Sequence, residues 1–183
     1  MFNKNQVVAV VMGGPSAERE VSLNTGAAIA NALREYGYTN VVEIDLDPRN
    51  FGKQLAESKA EVVFNAVHGL YGEDGRLQTL LEIREMPYTG SGMIASVSCM
   101  DKVITKRMLR DAGISTPACL IVNKKESGIK EKIMQRFSLP VVIKPASQGS
   151  SIGVEIVKEE KQLDEALANA FKYSRDILVE ELI

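Results

Sequence analysis

Val7-Val8-Ala9-Val10-Val11-Met12-Gly13-Gly14-Pro15-Ser16-Ala17-Glu18-Arg19-Glu20 is the stretch that decides the fold. An apolar run rich in valine stops at two glycines and a proline, and a helical pattern follows over residues 20–36, with Gly37 as its stop signal. Within it Val21, Leu23, Ala27, Ala28, Ile29, Ala30 and Leu33 are expected to form the apolar side. Strand, glycine turn and helix in that order open a parallel α/β sheet. Two more valine-rich runs continue the rhythm, predicting strands over 6–12, 41–45 and 61–67. A second helix is expected over 75–85, turning Leu77, Leu80, Leu81 and Ile83 to the sheet before Pro87 forbids continuation.

After about residue 95 the texture changes. A basic helix is expected over 101–112, further helices over 126–137 and 160–173, and short strands over 118–122, 140–144, 154–157 and 177–181. The reading is therefore two domains, an N-terminal α/β domain of residues 1–95 and a smaller α+β domain of residues 96–183. Residues 1–95 hold 8 basic and 12 acidic side chains and residues 96–183 hold 14 and 12, which makes the second domain the expected home of an anionic ligand. The final Ile177-Leu178-Val179-Glu180-Glu181-Leu182-Ile183 reads as a strand opening a new element, so a longer parent chain is expected.

Composition excludes several function classes. A balance of 22 basic against 24 acidic residues, net charge −2, lacks the basic footprint that a nucleic-acid backbone demands. The apolar run at 7–12 is far shorter than the roughly 20 residues that cross a bilayer, and a cytoplasmic protein is the expectation. Cys99 and Cys119 form no CxxC pair and one histidine makes no zinc cluster, so neither structural disulfides nor zinc are expected.

Three segments can carry chemistry. The Gly13 to Glu20 turn leaves a strand and opens a helix, where free N–H groups and the helix dipole can receive a ligand; the same features suit a plain turn capped by Ser16. Pro15, Ser16 and Glu18 interrupt any GxGxxG, so a dinucleotide fingerprint is disfavoured, and Glu18 is the residue able to hold an ammonium group. Asn65-Ala66-Val67-His68-Gly69-Leu70-Tyr71-Gly72-Glu73-Asp74-Gly75 leaves the third strand at the same sheet edge. His68 there is either a polar residue satisfied at a strand end or a ligand contact that glycines let substrate approach. Lys144-Pro145-Ala146-Ser147-Gln148-Gly149-Ser150-Ser151-Ile152-Gly153 lies between two strands, unlike a Walker loop, and reads as a flap whose N–H and hydroxyl groups can cover phosphates. Lys102, taken alone, is a solvated surface lysine, and Glu180 with Glu181 could be a charge pair protecting an edge strand.

In this order the blocks resemble the N-terminal and central parts of the D-alanine:D-alanine ligase family of the ATP-grasp superfamily. The resemblance rests on the Gly13 to Leu23 block, His68-Gly69 with Gly72-Glu73-Asp74-Gly75, and Pro87-Tyr88-Thr89-Gly90-Ser91-Gly92. Met100-Asp101-Lys102, Lys144-Pro145 with Gly149-Ser150-Ser151-Ile152-Gly153, and Glu180 complete it. It implies a Rossmann-like pre-ATP-grasp domain followed by the smaller half of an ATP-grasp fold. It also implies a reaction in which ATP phosphorylates one D-alanine and the amine of a second displaces phosphate, yielding a peptidoglycan building block. Carried onto this chain, Glu18 would orient the first D-alanine and His68 would lie near its carboxylate, with Ser150 joining Glu18 in the network that positions substrate. Lys102 and Lys144 would contact phosphates or the adenine edge, Ser151 would cover the phosphates, and Glu180, Glu181 and Leu182 would meet adenine. Magnesium or manganese ligands, a transition-state arginine and a substrate loop are expected in a further C-terminal domain beyond residue 183. The chain by itself is therefore expected to be inactive, and the full-length parent to be a homodimer. Two alternatives stay open: another ATP-grasp carboxylate:amine ligase, and a non-catalytic two-domain binding module.

Overall fold

The computed structural model describes residues 3–183, which divide into two compact units with the division between Val97 and Ser98. The first contains β1 (Val7–Met12), α1 (Arg19–Glu35), β2 (Asn40–Asp45), α2 (Phe51–Ser58), β3 (Val62–Asn65) and α3 (Arg76–Glu82), while α4 (Met93–Met100) runs across the division. Its sheet is parallel, in the order β2-β1-β3. Val8 to Met12 of β1 are at most 5% exposed, because helices cover both faces of a parallel sheet, and this is why the run is apolar throughout and not alternating. Beyond β3, Val63 pairs with Tyr88, donating to Pro87 O at 2.8 Å and accepting from Thr89 N at 3.0 Å. The Tyr88 hydroxyl donates to Glu82 at 2.6 Å; burial and that bond push the phenol up to about 12. Glu82 also accepts from Met93 N at 2.9 Å, so the Pro87 to Gly92 block ties α3 to the start of α4.

Of the apolar side expected for helix α1 only Ala30 is buried. The residues it buries are Ser22, Gly26 and Ala30, four apart, while Val21 is 56% exposed. Small residues on this stripe let the helix settle close on β1: a Cβ on Gly26 would stand 2.5 Å from the Met12 Cβ. Leu23, Ile29 and Leu33 pack only at its margins. Helix α3 buries Leu77 and Leu81 as expected, but Ile83 follows the helix end and is 73% exposed. Strand β3 stops at Asn65, short of residue 67, because the Asn65 side chain accepts from Val67 N (3.0 Å) and donates to Gly72 O (2.8 Å), turning the chain. The sequence pattern missed α2, eight residues with Gly52 inside, which is held by Phe51 and Leu55 at helical spacing in the core.

The second unit contains α5 (Lys102–Asp111), β4 (Cys119–Asn123), α6 (Ile129–Arg136), β5 (Val141–Pro145), β6 (Glu155–Val157), α7 (Leu163–Tyr173) and β7 (Asp176–Glu181). The strands form an antiparallel sheet in the order β4-β7-β5-β6. Val122, Ile133, Val141, Ile143, Leu163, Ile177 and Val179 are among the residues of its core, drawn from the strands and from α6 and α7. Helix α6 starts three residues later than expected because Lys124 to Gly128 form a turn, with Asn123 N donating to Glu126 at 2.8 Å and Gly128 at φ +67°. The first turn of the expected 160–173 helix is a 3-10 turn, Glu160–Gln162. Strand β7 lies between two neighbours, so Glu180 does not guard an edge.

Candidate functional site

In the first unit two loops leave the carboxyl ends of β1 and β3. Ser16 ties them together: its hydroxyl donates to His68 O at 2.8 Å and accepts from Glu18 N at 3.1 Å. Ser22 ties them again from below, accepting from Gly13 N (2.8 Å) and donating to Ala66 O (2.7 Å) while wholly buried. Ser22→Ala therefore leaves one N–H and one C=O buried without partners, and is expected to cost about 2 kcal/mol of stability in urea unfolding.

The result of these ties is that Glu18 reaches the His68 loop. A Cβ on Gly69 would lie 2.6 Å from Glu18 Oε2, and Gly69 has φ +69°, so both the carboxylate and the backbone require glycine there. The Glu18 side chain makes no capping bond to α1. The His68 ring is held at both ends, with Nε2 3.2 Å from Thr25 Oγ1 and Nδ1 3.6 Å from Glu73. The loops that bear Glu18 and His68 thus face each other at one sheet edge, as their places after β1 and β3 predict.

Beside them the Gly13-Gly14 turn borders a cleft of about 410 Å³ lined by Pro15, Arg19, Asp45 and Leu46 among others, though not by Glu18 or His68. Arg19 closes a two-bonded fork on Asp45, at 2.7 and 2.6 Å, and this pair is a motif residue put to structural use. The Arg19 hydrogen bonds hold the Asp45 carboxyl below the usual carboxylate range, against partial burial. The pair's contribution is full above the unfolded carboxylate value near pH 4 and disappears as pH falls through the lower folded value. Acid unfolding followed by circular dichroism between pH 5 and about 2.5 is expected to show this slope, and Asp45→Asn to flatten it.

The second unit gathers a charged cluster on one sheet face. Cross-strand register pairs Cys119 with Glu180 and Glu180 with Val142, then Ile121 with Leu178 and Leu178 with Lys144. Side chains alternate along a strand, so Lys144 and Glu180 point to the face away from the α6–α7 core. Glu180 is only 4% exposed at its side chain; Lys144 pairs with its Oε2 and the Lys106 ammonium lies 2.8 Å from its Oε1. Oε1 itself has no hydrogen-bond donor, because Lys106 approaches off the line that a hydrogen bond needs. Lys102 N donates to Ala146 O and its ammonium to Gln148 O at 2.6 Å, anchoring the base of the β5–β6 loop. Burial first, and Lys144 second, lower the Lys102 pKa. Burial, with Glu180 opposite, pushes the Cys119 thiol up to about 11, so it is not a thiolate nucleophile.

The flap lies where the sequence predicts it, between two antiparallel strands. Ser150 and Ser151 are exposed at its tip, Ser150 at φ +55°, and Gly153 at φ +71° packs against Pro145 and Tyr173 with no room for a side chain. Glu18 belongs to the first unit and Ser150 to the second. The Glu181 carboxylate is occupied by Ala118 N at 2.6 Å, and Leu182 follows β7, 41% exposed. Lys106 was not among the sequence candidates; its only signal is a position one helical turn after Lys102. Near it, α5 and the following segment line a cavity of about 660 Å³ with Lys106, Arg107, Arg110 and Arg136 in its walls and neither Lys144 nor Glu180. Among the described residues no three His, Cys, Asp or Glu side chains are placed to hold a metal ion. No described helix is long and apolar enough to cross a membrane.

The chain is similar to known proteins along nearly its whole length. Residues 47–91 match the family model described as D-ala D-ala ligase N-terminus, and residues 108–183 match D-ala D-ala ligase C-terminus. A D-alanine–D-alanine ligase of Moorella thermoacetica is 48% identical over 94% of this chain, and one of Carboxydothermus hydrogenoformans is 45% identical over 96%. The chain spans 57% of the length of each. Among solved structures, the Bacillus anthracis D-alanine–D-alanine ligase complexed with ATP superposes with TM-score 0.84 at 34% identity, covering 97% of this chain and 59% of that one. By these matches, spread over nearly its whole length, the chain belongs to the D-alanine–D-alanine ligase family.

Proposed function

We propose that this chain is the part of an ATP-dependent D-alanine–D-alanine ligase that holds the first D-alanine in its N-terminal unit and ATP in its second. The observation that carries the D-alanine reading is the Glu18 carboxylate lying over Gly69 beside His68, because other carboxylate:amine ligases of the superfamily leave that pairing unexplained. Glu18 binds the ammonium group of the first D-alanine and His68 its carboxylate, which orients that carboxylate for phosphorylation. The γ-phosphoryl group of ATP passes to a carboxylate oxygen, releasing ADP. The amine of a second D-alanine then attacks the acyl carbon, losing a proton as phosphate departs with the C–O bond.

Lys144 and Lys102 offset charge on the phosphates, and Ser150 with Ser151 at the flap tip covers them and excludes water from the acyl phosphate. Glu180 Oε1 accepts no hydrogen bond although the Lys106 ammonium lies 2.8 Å away, which supports Glu180 as the acceptor for an adenine amino group, with Glu181 and Leu182 next to it along the chain. The relatives' greater length supports the reading that magnesium ligands lie outside these residues. Peptidoglycan precursor synthesis, a cytoplasmic location where ATP is supplied, and a homodimeric parent complete the proposal.

The test is D-alanine-dependent ADP release. A parent chain of the relatives' full length is expected to turn over D-alanine in preference to other amino acids, and the 183-residue chain to release no ADP. Preference for another amino acid would replace the D-alanine reading with a different ATP-grasp ligase. Tight ligand binding by the parent without turnover would replace it with a binding module.

A further inference from the structure

The three lysines around Glu180 are not equivalent. Lys144 has Glu180 as its one ion-pair partner among the described residues and is 24% exposed at its side chain. Lys102 is committed to the flap through Gln148 O. Lys106 is tethered: it donates to Pro117 O at 2.7 Å and to Thr116 Oγ1 at 3.1 Å, is only 15% exposed, and keeps its charge 2.8 Å from Glu180 Oε1. One cation can leave the carboxylate and the other is fastened beside it.

We propose that Lys106 is a positioning residue of the nucleotide site, the fixed counter-charge that stays on Glu180 when Lys144 moves from Glu180 to a nucleotide phosphate. This rests on the reading of the face as a nucleotide site. A phosphate carries more negative charge than a carboxylate and draws the freer ammonium toward itself. The vacated carboxylate cannot rehydrate, since Glu180 is 4% exposed, and a buried carboxylate without a partner is strongly disfavoured. Lys106 removes that obstacle without competing for the ligand, because its two neutral acceptors on the Thr116-Pro117 segment hold it in place. The exchange conserves charge pairs: one Lys144–Glu180 pair becomes one Lys144–phosphate pair, and Glu180 remains paired with Lys106.

The experiment is calorimetric binding of ADP and of adenosine to the 183-residue chain, unaltered and as Lys106→Met, Lys106→Arg and Lys106→Met with Glu180→Gln, with circular dichroism verifying that each is folded. Lys106→Met is expected to weaken ADP about tenfold or more and adenosine less than about threefold, since only the phosphate calls Lys144 away. Lys106→Arg is expected to retain ADP binding. The double variant is expected to bind ADP more tightly than Lys106→Met, because the charge that needed compensation is gone while an amide oxygen remains to accept from adenine. Equal loss of ADP and adenosine, or no rescue by Glu180→Gln, overturns the proposal and leaves the nucleotide reading standing. Binding of neither ligand by the unaltered chain overturns the nucleotide reading and the proposal with it.

Discussion

Glu180→Ala is expected to lower the stability of the second unit by about 3 kcal/mol, the low end of the usual cost of breaking a buried ion pair. The carboxylate is 4% exposed and compensates two ammonium groups at once, Lys144 and Lys106. Removing it leaves two like charges facing each other on one sheet face. The lower end applies because both lysines have long stems and some access to water, at 24% and 15% exposure, so they can turn outward in part. For a unit of this size a loss of about 3 kcal/mol lowers Tm by roughly 12 °C or more. Urea and thermal unfolding of the chain measure both, and added salt is expected to restore little, since the pair is shielded from solvent. A loss under about 1 kcal/mol would show that the cluster behaves as a surface pair.

Gly72→Ala is expected to cost the first unit a similar amount, about 3 kcal/mol, at the upper end of ordinary overpacking. A Cβ at this position would stand 2.1 Å from Val67 O and 2.5 Å from the Val67 carbonyl carbon. Backbone cannot yield as a flexible side chain can, and here both sides are pinned. Val67 N is bound to the Asn65 side chain, and Gly72 O accepts from Asn65 Nδ2 at 2.8 Å and Gln78 Nε2 at 2.6 Å. Relief would have to come from the segment between them, which carries His68 and Gly69. D-alanine binding by the parent enzyme is therefore expected to fall along with stability. Gly92→Ala is the control, since its Cβ would have no neighbour nearer than 3.6 Å and should change stability by less than about 0.5 kcal/mol. Equal melting temperatures for the two variants would contradict the packing argument.

Much of this architecture can be read from the chain because its signals are local. The continuous apolar β1, the stop at Gly13-Gly14-Pro15 and the small-residue loop between β5 and β6 each follow from the chemistry of neighbouring residues. The misses have physical causes. Helix α2 is too short for periodicity to reveal, and only the burial of Phe51 and Leu55 holds it. Of the apolar side expected for helix α1 only Ala30 is buried, and Ser22 and Gly26 face the sheet with it, since close approach favours small side chains where strand and helix nearly touch.

The same division holds for the candidate site. Sequence by itself determined the residue types and the loops that bear them: Glu18 and His68 after two strands, Lys144 before a flap, Glu180 on the last strand. Only the tertiary structure decided which of them share a charge. Lys106, 38 residues before Lys144 and 74 before Glu180, becomes the neighbour of both partners because α5 lies beside the face on which the β4-β7-β5 register places them. A lysine's role depends on whether its ammonium meets water or a buried carboxylate, and that is set by register and packing across the sheet, which no local pattern encodes.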